Sequence, residues 1–522
     1  KVADTALVAD GTVTFADAVN AINQDTSGNY LIELADDITL LDTRFVINAD
    51  TTILGENHTI HFGTESIEVS GTGTVLNLGR EDYTKTLTLT GGTGRSIIDF
   101  AGSNNNSRVL NLYNGVTFED NHTSFIIRTS STPNVPTINM YGNSCIKVAN
   151  DGCWVIAGQN ANAAILNMYD TSCLDGCNLG GYGFYDEKGS LNMHGQSSIK
   201  NFLYGGVKSR NVSMDGGSIA NCGNRTRERW GGGVCLRGGT FTMNGGSITN
   251  CSATYGGGVY VVSRRTFIMN DGSIIGCSAE TCGGGVYANG TVIMNSGSFT
   301  SCSANYGGGI YVSGNYNGGL SMNSGSITGC SAAEGGGINL SSGASLTSKD
   351  GFVLCNNTAT TYGADAHICK GSKLPSAASM NAVYNADGKG RTITGWYEDD
   401  SSTRYSPENY SREITNNDLS SRDYALVASY QDENIHTITI AKDAEGNTPG
   451  YAYRKDEATG KTTTITGTIP GKKVYLSYEN GNTLDGWTAE PEITIHPATE
   501  AEDAWFEMPN DNVTISCKDH YE

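Results

Sequence analysis

Residues that could bind a charged ligand are concentrated in one basic window, residues 201–270. The window has eight Lys and Arg residues against two acidic residues, although the whole chain carries a net charge of −21. Arginine donates planar, paired hydrogen bonds to carboxylate or sulfate, and a neighbouring tryptophan can stack on a sugar face. We therefore expect an anion-binding surface here, the alternative being that these cations pair with acidic groups nearby. The candidate residues are Arg225, Arg227, Arg229, Trp230, Arg237, Arg264 and Arg265.

Three of these arginines lie in residues 223–230, just before a Gly-Gly-Gly triplet. This segment lengthens the gap between a repeated cysteine and the triplet from about five residues to nine. An insertion into one unit of a repeat becomes a loop on one face, where such proteins commonly place binding groups. The spacing therefore predicts a projecting basic loop.

Aromatic residues flank the glycine triplets and form a second candidate surface. The residues two positions beyond three of the triplets are Tyr260, Tyr287 and Tyr311, and the residues just before three of them are Trp230, Tyr255 and Tyr306. Stacked one above another, these rings would form ladders that could hold an extended glycan or a protein partner. The alternative is that the ladders stabilise the scaffold by packing.

The acidic residues of the repeat core do not form a convincing catalytic pair. Between residues 200 and 350 they are Asp215, Glu228, Asp271, Glu280, Glu334 and Asp350. Hydrolysis of glycans needs two facing carboxylates, and lyase action needs a basic residue with an acidic calcium cluster. His194 is isolated, and Cys173 and Cys177 lack the companions of a zinc site. The sequence predicts no catalytic residue, metal or cofactor, with a polysaccharide lyase or glycoside hydrolase as the alternative.

A repeat of 21 to 29 residues positions these side chains. It is marked by Met140, Met168, Met193, Met214, Met243, Met269, Met294 and Met322. From Met214 on, each methionine is followed by Asp or Asn at +1, Gly at +3, Ile or Phe at +5 and Cys at +8. Such periods are typical of stacked coils. Because side chains alternate between the two faces of a strand, we expect the first and third residues of triplets such as Leu166-Asn167-Met168 to face inward. The chain is therefore predicted to be an all-β parallel β-helix, or solenoid.

The repeated cysteines and glycines have distinct expected roles. The +8 cysteines are Cys222, Cys251, Cys277, Cys302 and Cys330. Because coils lie about 4.8 Å apart, these should stack as an internal ladder, and we favour free buried thiols over disulfides. The glycine triplets permit positive backbone φ and close approach between coils.

The two ends of the chain differ from the repeat. Phe15, Ala18, Val19 and Ile22 have helical spacing and predict an N-terminal cap on the solenoid. Beyond residue 370 the repeat stops and an acidic composition begins. We predict a capped β-helix over 1–375 and two small β modules over 376–432 and 433–522. The first residues lack a secretion signal, which indicates a mature fragment.

The repeats resemble those of a known group of proteins. Paired Gly-Gly-x-Val/Ile and Gly-x-Ile-x-x-Cys motifs resemble the repeats of bacterial surface β-helix proteins and, distantly, chlamydial polymorphic membrane proteins, although the latter have Phe-x-x-Asn in place of Ile-x-x-Cys. Residues 393–397, Ile-Thr-Gly-Trp-Tyr, resemble Listeria–Bacteroides surface repeats, and residues 484–515 resemble divergent internalin B-repeats. The resemblance implies a right-handed, pectate-lyase-like β-helix with two small modules, on the wall or surface of a Gram-positive bacterium.

Together these features favour an extracellular adhesin. We expect a monomer that recognises a host glycan or glycoprotein through one face of the β-helix. Nucleic acid is not an expected partner because a phosphate backbone requires clustered Lys and Arg across the surface. The sequence contains no run of 18 apolar residues, so membrane insertion is not expected for this fragment. A purely structural spacer is the third alternative.

Overall fold

A computed structural model describes most of the repeat region and part of the remainder. The described residues are 6–9, 14–40, 44–100, 107–129, 135–158, 163–223, 229–316, 318–348, 352–369, 392–398, 424–431, 436–442, 450–455, 462–465, 467–468, 473–478, 486–499, 503–509 and 511–517. They divide into two compact units, the first comprising residues 1–382 and 413–427 and the second comprising 383–412 and 428–522. The predicted boundaries between residues 375 and 376 and between residues 432 and 433 stay predictions.

The first unit is a parallel β-helix, which confirms the predicted fold class. Each coil adds two strands to one large parallel sheet. The strands of the first row are Phe45–Ile47, Ile67–Val69, Ile98–Phe100, Phe125–Thr129, Trp154–Gly158, Val234–Leu236, Val259–Val261, Val286–Ala288, Ile310–Val312, Ile338–Leu340 and Ala366–Ile368. The second row comprises Ala6–Ala9, Asn29–Leu34, Asp50–Leu54, Val75–Leu78, Val109–Leu112, Thr137–Met140, Ile165–Met168, Thr240–Met243, Thr266–Met269, Thr291–Met294, Gly319–Met322 and Ser345–Ser348. Two longer strands, Tyr182–Met193 and Gly205–Met214, contribute to both rows.

A second parallel sheet closes the opposite side of each coil. Its 13 strands are Ile38–Leu40, His58–Phe62, Leu87–Thr90, Val116–Phe118, Cys145–Lys147, Cys173–Asp175, Ser198–Lys200, Ser218–Ala220, Ser247–Thr249, Ser273–Ile275, Ser298–Thr300, Gly325–Thr328 and Phe352–Cys355. Short pairings between Ser252–Tyr255 and Ser278–Cys282, and between Ser331–Glu334 and Thr358–Tyr362, add a third side in the later coils. The core lies between these walls.

Strand alternation fills the core as predicted. Leu166 and Met168 are fully buried, whereas Asn167 between them is partly exposed. All eight repeat methionines are buried, and so are the five +8 cysteines, which the structure has as free thiols. Asn357 takes the cysteine position of the following coil and accepts a hydrogen bond from the Cys330 amide at 2.9 Å. A polar side chain thus ends the ladder.

The glycine triplets form a corner where neighbouring coils approach closely. The first glycine of each has positive φ, for example +67° at Gly256. A Cβ on the third glycine, Gly258, would lie 2.7 Å from the carbonyl oxygen of Gly285 in the next coil. The corner therefore requires glycine both for conformation and for space.

Asparagine side chains link the coils on the outside. The amide of Asn270 donates to Asn244 at 2.7 Å, and Asn295 donates to Asn270 at the same distance. A second column of the same kind joins Asn111, Asn139 and Asn167. Each amide is both donor and acceptor, so these columns continue the backbone ladder into the side chains.

The predicted helical cap is present at Phe15–Gln24. Thr14 caps its N-terminus by accepting a hydrogen bond from the Asp17 amide. Its buried face packs on the first coils, with the Phe15 and Phe45 ring centroids 5.2 Å apart. This helix covers the terminal core as expected.

At the other end of the first unit, the edge strand Ala366–Ile368 has an antiparallel partner. Residues 424–426 of the strand Tyr424–Gln431 pair with it. The strand Thr392–Glu398 belongs to the second unit. Among the described residues, no helix is both long and apolar enough to cross a membrane.

The second unit contains two small four-stranded sheets. One comprises Gly467–Thr468, His436–Ile440, Val513–Cys517 and Trp487–Glu490, and the other comprises Thr462–Thr464, Gly450–Lys455, Lys473–Tyr478 and Ala504–Glu507. Their shared core includes Val474, Trp487, Phe506 and Ile515.

Candidate functional site

Four arginines form a basic corner where the two rows of the large sheet meet. The corner comprises Arg210, Arg237, Arg264 and Arg265, which come from the same turn of three successive coils. All but Arg265, which is half-buried, are exposed. Arg210, within the long strand Gly205–Met214, lies against the corresponding turn of the next coil, since a Cβ on Gly238 would meet the Arg210 side chain at 2.7 Å. Strand register therefore brings together arginines that are far apart in sequence.

One acidic side chain partly neutralises the corner. Glu187 lies one coil before Lys208 and two coils before Arg237. Its Oε1 is 3.4 Å from Arg237 Nε and 3.5 Å from Lys208 Nζ. These are exposed or half-exposed pairs, so each contributes little to stability. No ion pair is recorded in the described part of the chain for Arg264, whose backbone has a positive φ of +63°.

The structure contains the predicted stack of Tyr260, Tyr287 and Tyr311, which we call the tyrosine column and which lies beside this corner. The ring centroids of Tyr260 and Tyr287 are 5.2 Å apart with planes 2° from parallel, and those of Tyr287 and Tyr311 are 5.2 Å apart at 7°. Tyr260 is only 6% exposed, whereas Tyr287 and Tyr311 are half-buried. The faces are covered by neighbouring rings, so a ligand can reach mainly ring edges and hydroxyl groups.

Asn289 holds the hydroxyl groups of two residues of this column, Tyr260 and Tyr287. Its amide donates to the Tyr260 hydroxyl at 2.9 Å and accepts from the Tyr287 hydroxyl at 3.3 Å. Burial raises the pKa of Tyr260 to about 12, and nearby Arg237 opposes that rise. The hydroxyls are thus neutral donors and acceptors at physiological pH, next to a positive charge.

Trp230 covers the buried end of the column. Its ring lies 4.8 Å from Tyr260 at 60° and stacks on Tyr255 at 5.1 Å and 19°. The Arg229 guanidinium lies 5.3 Å from the Trp230 ring centroid, in cation–π range. We call Arg229, Trp230, Tyr255 and the tyrosine column, together with the basic corner, the aromatic–basic face.

The column before the glycine triplets is less regular than the spacing suggests. Cys282 occupies the coil between Tyr255 and Tyr306, so these two rings are not neighbours. Tyr306 is 39% exposed. Arg225 and Arg227 lie outside the described residues, so the projecting loop stays a prediction.

The tyrosine column ends in polar residues that the sequence reasoning missed. Asn339 and His367 continue the row and are each 2% exposed. His367 Nδ1 lies 3.2 Å from Glu334 Oε2 and 3.0 Å from Asn339 Nδ2. Only the register of strands 28 residues apart joins these groups, and no local motif signals it.

A separate cleft lies among the earlier coils. It has a volume of about 390 Å³ and is lined by Glu81, Tyr113, Asn114, Tyr141, Gly142 and Asp170. Tyr113 and Tyr141 stack at 5.1 Å, and burial together with the negative charge of Glu81 raises the pKa of both hydroxyls. Asp170 accepts a hydrogen bond from the Gly142 amide at 2.9 Å. Glu81 and Asp170 both lie outside the repeat core of residues 200–350, in which the sequence indicated no catalytic pair.

The described residues contain no group of three or more His, Cys, Asp and Glu side chains arranged to hold a metal ion. No protein-family model matches the chain, and comparison with curated proteins and with solved structures found no significant match. The resemblances of the repeats and of the C-terminal segments therefore stay predictions, and the geometry alone must support a function.

Proposed function

We propose that this protein is an extracellular, cell-surface binding protein that recognises an anionic glycan or glycoprotein of a host through the aromatic–basic face. The observation that carries the proposal is the alignment of the basic corner beside Trp230 and the tyrosine column. A parallel β-helix is compatible with such a role because a rigid scaffold repeats the same surface position at every coil.

The charge distribution favours an anionic ligand. The chain carries −21 overall, so a local group of arginines offers an attractive site on an otherwise repelling surface. Arg237 and Arg264 are exposed and can form paired hydrogen bonds with carboxylate or sulfate. Trp230 and the edges of Tyr255 and Tyr287 supply apolar contact for a sugar ring.

The test is a binding titration with sulfated and sialylated glycans against their neutral counterparts, at low and high salt. The double variant Arg237→Gln/Arg264→Gln should weaken binding at least tenfold and flatten its salt dependence. The matched control is Lys147→Gln/Lys200→Gln, which removes the same charge from exposed positions on the second sheet. Equal affinity of the two double variants would contradict the proposed face.

A second candidate function, cleavage of a glycan, is favoured by the cleft at Glu81 and Asp170. Two carboxylates that border one cavity with two tyrosines could serve as acid and base toward a bound sugar. Release of reducing ends or unsaturated products from polysaccharides would reveal this activity. Loss of that release in both Glu81→Gln and Asp170→Asn, with binding at the aromatic–basic face intact, would assign the reaction to the cleft.

A further inference from the structure

Two cysteines on the second sheet stand out from the row in which they lie. The outward row of this sheet consists of small hydroxyl residues at nearly every coil, and two adjacent coils carry thiols instead. Ordered along the solenoid, the row is Thr59, Thr88, Thr117, Cys145, Cys173, Ser198, Ser218, Ser247, Ser273, Ser298 and Ser326. The fold therefore places one thiol directly beside another on an otherwise hydroxyl surface.

The geometry of this pair permits a covalent bond. Cys145 and Cys173 are register partners on neighbouring parallel strands, and each thiol is close enough to shift the pKa of the other. Neighbouring strands lie about 4.8 Å apart, which is within the Cα separation of disulfides. Parallel side chains on such strands hold their Cβ atoms farther apart than an unstrained disulfide prefers. A bond formed here would accordingly be readily reduced.

The surroundings favour reaction at Cys173. Both thiols are half-buried and reachable from solvent, unlike the fully buried +8 cysteines. The neighbouring Cys145 thiol lowers the pKa of Cys173 to about 7, and the positive charge of Lys200 acts in the same direction, whereas burial opposes the shift. The same contact raises the pKa of Cys145. Of the two thiols, Cys173 is therefore the one that ionises more readily, and the thiolate is the nucleophile in disulfide exchange.

We propose that Cys145 and Cys173 form a reversible redox pair that is oxidised by small aliphatic disulfides to a bond between adjacent coils. The Cys173 thiolate attacks the disulfide RSSR, forms a mixed disulfide and releases one thiolate, which takes up a proton. Cys145 then loses its proton and attacks the Cys173 sulfur, releasing the second thiol. The two protein thiols lose two electrons and two protons, and RSSR becomes two RSH.

Cys177 is the nearby thiol that could compete. It is exposed, and its thiol donates to the backbone oxygen of Asp175 at 3.8 Å. Burial and the Asp175 charge raise its pKa, so it holds less thiolate than Cys173. It lies on the same coil as Cys173, whereas Cys145 faces Cys173 across the strand pair.

The experiment uses the full chain treated with oxidised glutathione, quenched with N-ethylmaleimide and digested with trypsin. Because trypsin cleaves after Lys147, a Cys145–Cys173 bond joins two otherwise separate peptides, and fragmentation locates the linked residues. We expect this link in the unaltered protein and in Cys177→Ser, and its reversal by dithiothreitol. Cys145→Ser should instead accumulate a stable glutathione adduct on Cys173 at least tenfold over that of the unaltered protein.

The internal control is the buried pair Cys277 and Cys302, which has the same relation between coils but no exposure. It should stay reduced until the protein unfolds. A Cys173–Cys177 link in place of the expected one, a glutathione adduct on Cys173 that persists beside an intact Cys145, or no oxidation of either cysteine would each overturn the proposal. Native-state oxidation of Cys277 and Cys302 at the same rate would also overturn it, because exposure would then not select the pair.

Discussion

His194 Nδ1 lies 3.1 Å from Asp215 Oδ2, in the turn where a column of rings changes into a column of amides. On one side, the His194 ring stacks on Tyr169 at 4.9 Å and 8°, continuing the stack from Tyr113 and Tyr141. On the other side, Asp215 Oδ1 accepts from the Asn244 amide at 2.7 Å. Histidine is both an aromatic ring and a hydrogen-bonding group, so it can join the two columns.

Asp215 is expected to stabilise this junction through its acceptor oxygens. Asp215→Ala should lower the free energy of unfolding by about 1 kcal/mol, because the Asn244 amide loses its acceptor at a partly exposed position. Asp215→Asn keeps an acceptor and should lose less. Urea unfolding followed by circular dichroism measures both, and equal losses would show that the hydrogen bond to Asn244 contributes nothing.

Gly258 is expected to be intolerant of any side chain. Its substitution by alanine would place Cβ 2.7 Å from the Gly285 oxygen and 3.0 Å from the Ile274 side chain, so neighbouring coils must separate. We expect a loss of about 3 kcal/mol or more, typical of overpacking in a core. Gly245→Ala is the control, because the atom nearest to its Cβ would be the backbone carbonyl oxygen of Asp215, at 3.3 Å. A similar midpoint of urea unfolding for both variants would contradict a steric role for the corner.

Asp186 should make stability fall as the pH rises between about 4 and 6. Burial raises its pKa in the folded state from 3.8 to about 6, despite hydrogen bonds from the amides of Ala164 and Lys188. In that window the unfolded state binds fewer protons, so the stability present below pH 3.8 is lost as pH passes through the folded pKa.

The loss assigned to Asp186 should amount to about 3 kcal/mol for a shift of this size. Because many other carboxylates titrate in the same range, the quantity to measure is the difference in unfolding free energy between the unaltered protein and Asp186→Asn at each pH. That difference should change across the window in favour of the variant as pH rises. A constant difference would contradict the raised pKa.

Tyr287 is expected to matter through its ring more than its hydroxyl. Tyr287→Ala removes two stacked contacts at 5.2 Å and should cost about 3 kcal/mol. Tyr287→Phe keeps both stacks and loses only a long hydrogen bond to Asn289, so its unfolding midpoint should stay close to that of the unaltered protein. If the two variants unfold at the same urea concentration, the column does not stabilise the coils by stacking.

Local sequence rules predicted the elements of the fold well. The helical spacing of Phe15, Ala18, Val19 and Ile22 corresponds to the buried face of the cap. Methionine and cysteine spacing predicted which positions stack inside. These predictions depend on the period of a helix or a strand and on the length of a coil. Both are properties of residues that are close together in the sequence.

The candidate site was predicted only in part, because its contacts join residues of different coils and are not a local property of the sequence. The sequence indicated Tyr260, Tyr287 and Tyr311 as a column, but not that Tyr260 is nearly buried beneath Trp230. It indicated an arginine-rich window, but not that Glu187 reaches Arg237 from two coils away. Such contacts depend on turn lengths that vary from coil to coil, which the repeat period does not specify.

The sequence by itself thus determined that this chain stacks parallel coils, which side chains face the core and where glycine is required, because each is a local periodic property. The tertiary structure alone decided which outward side chains become neighbours. His194 meets Asp215, Cys145 meets Cys173 and Arg237 lies beside Tyr260 because strand register and turn geometry align residues 20 to 30 positions apart. The chemistry of the surface follows from that register, and it cannot be predicted from the amino-acid composition of any single coil.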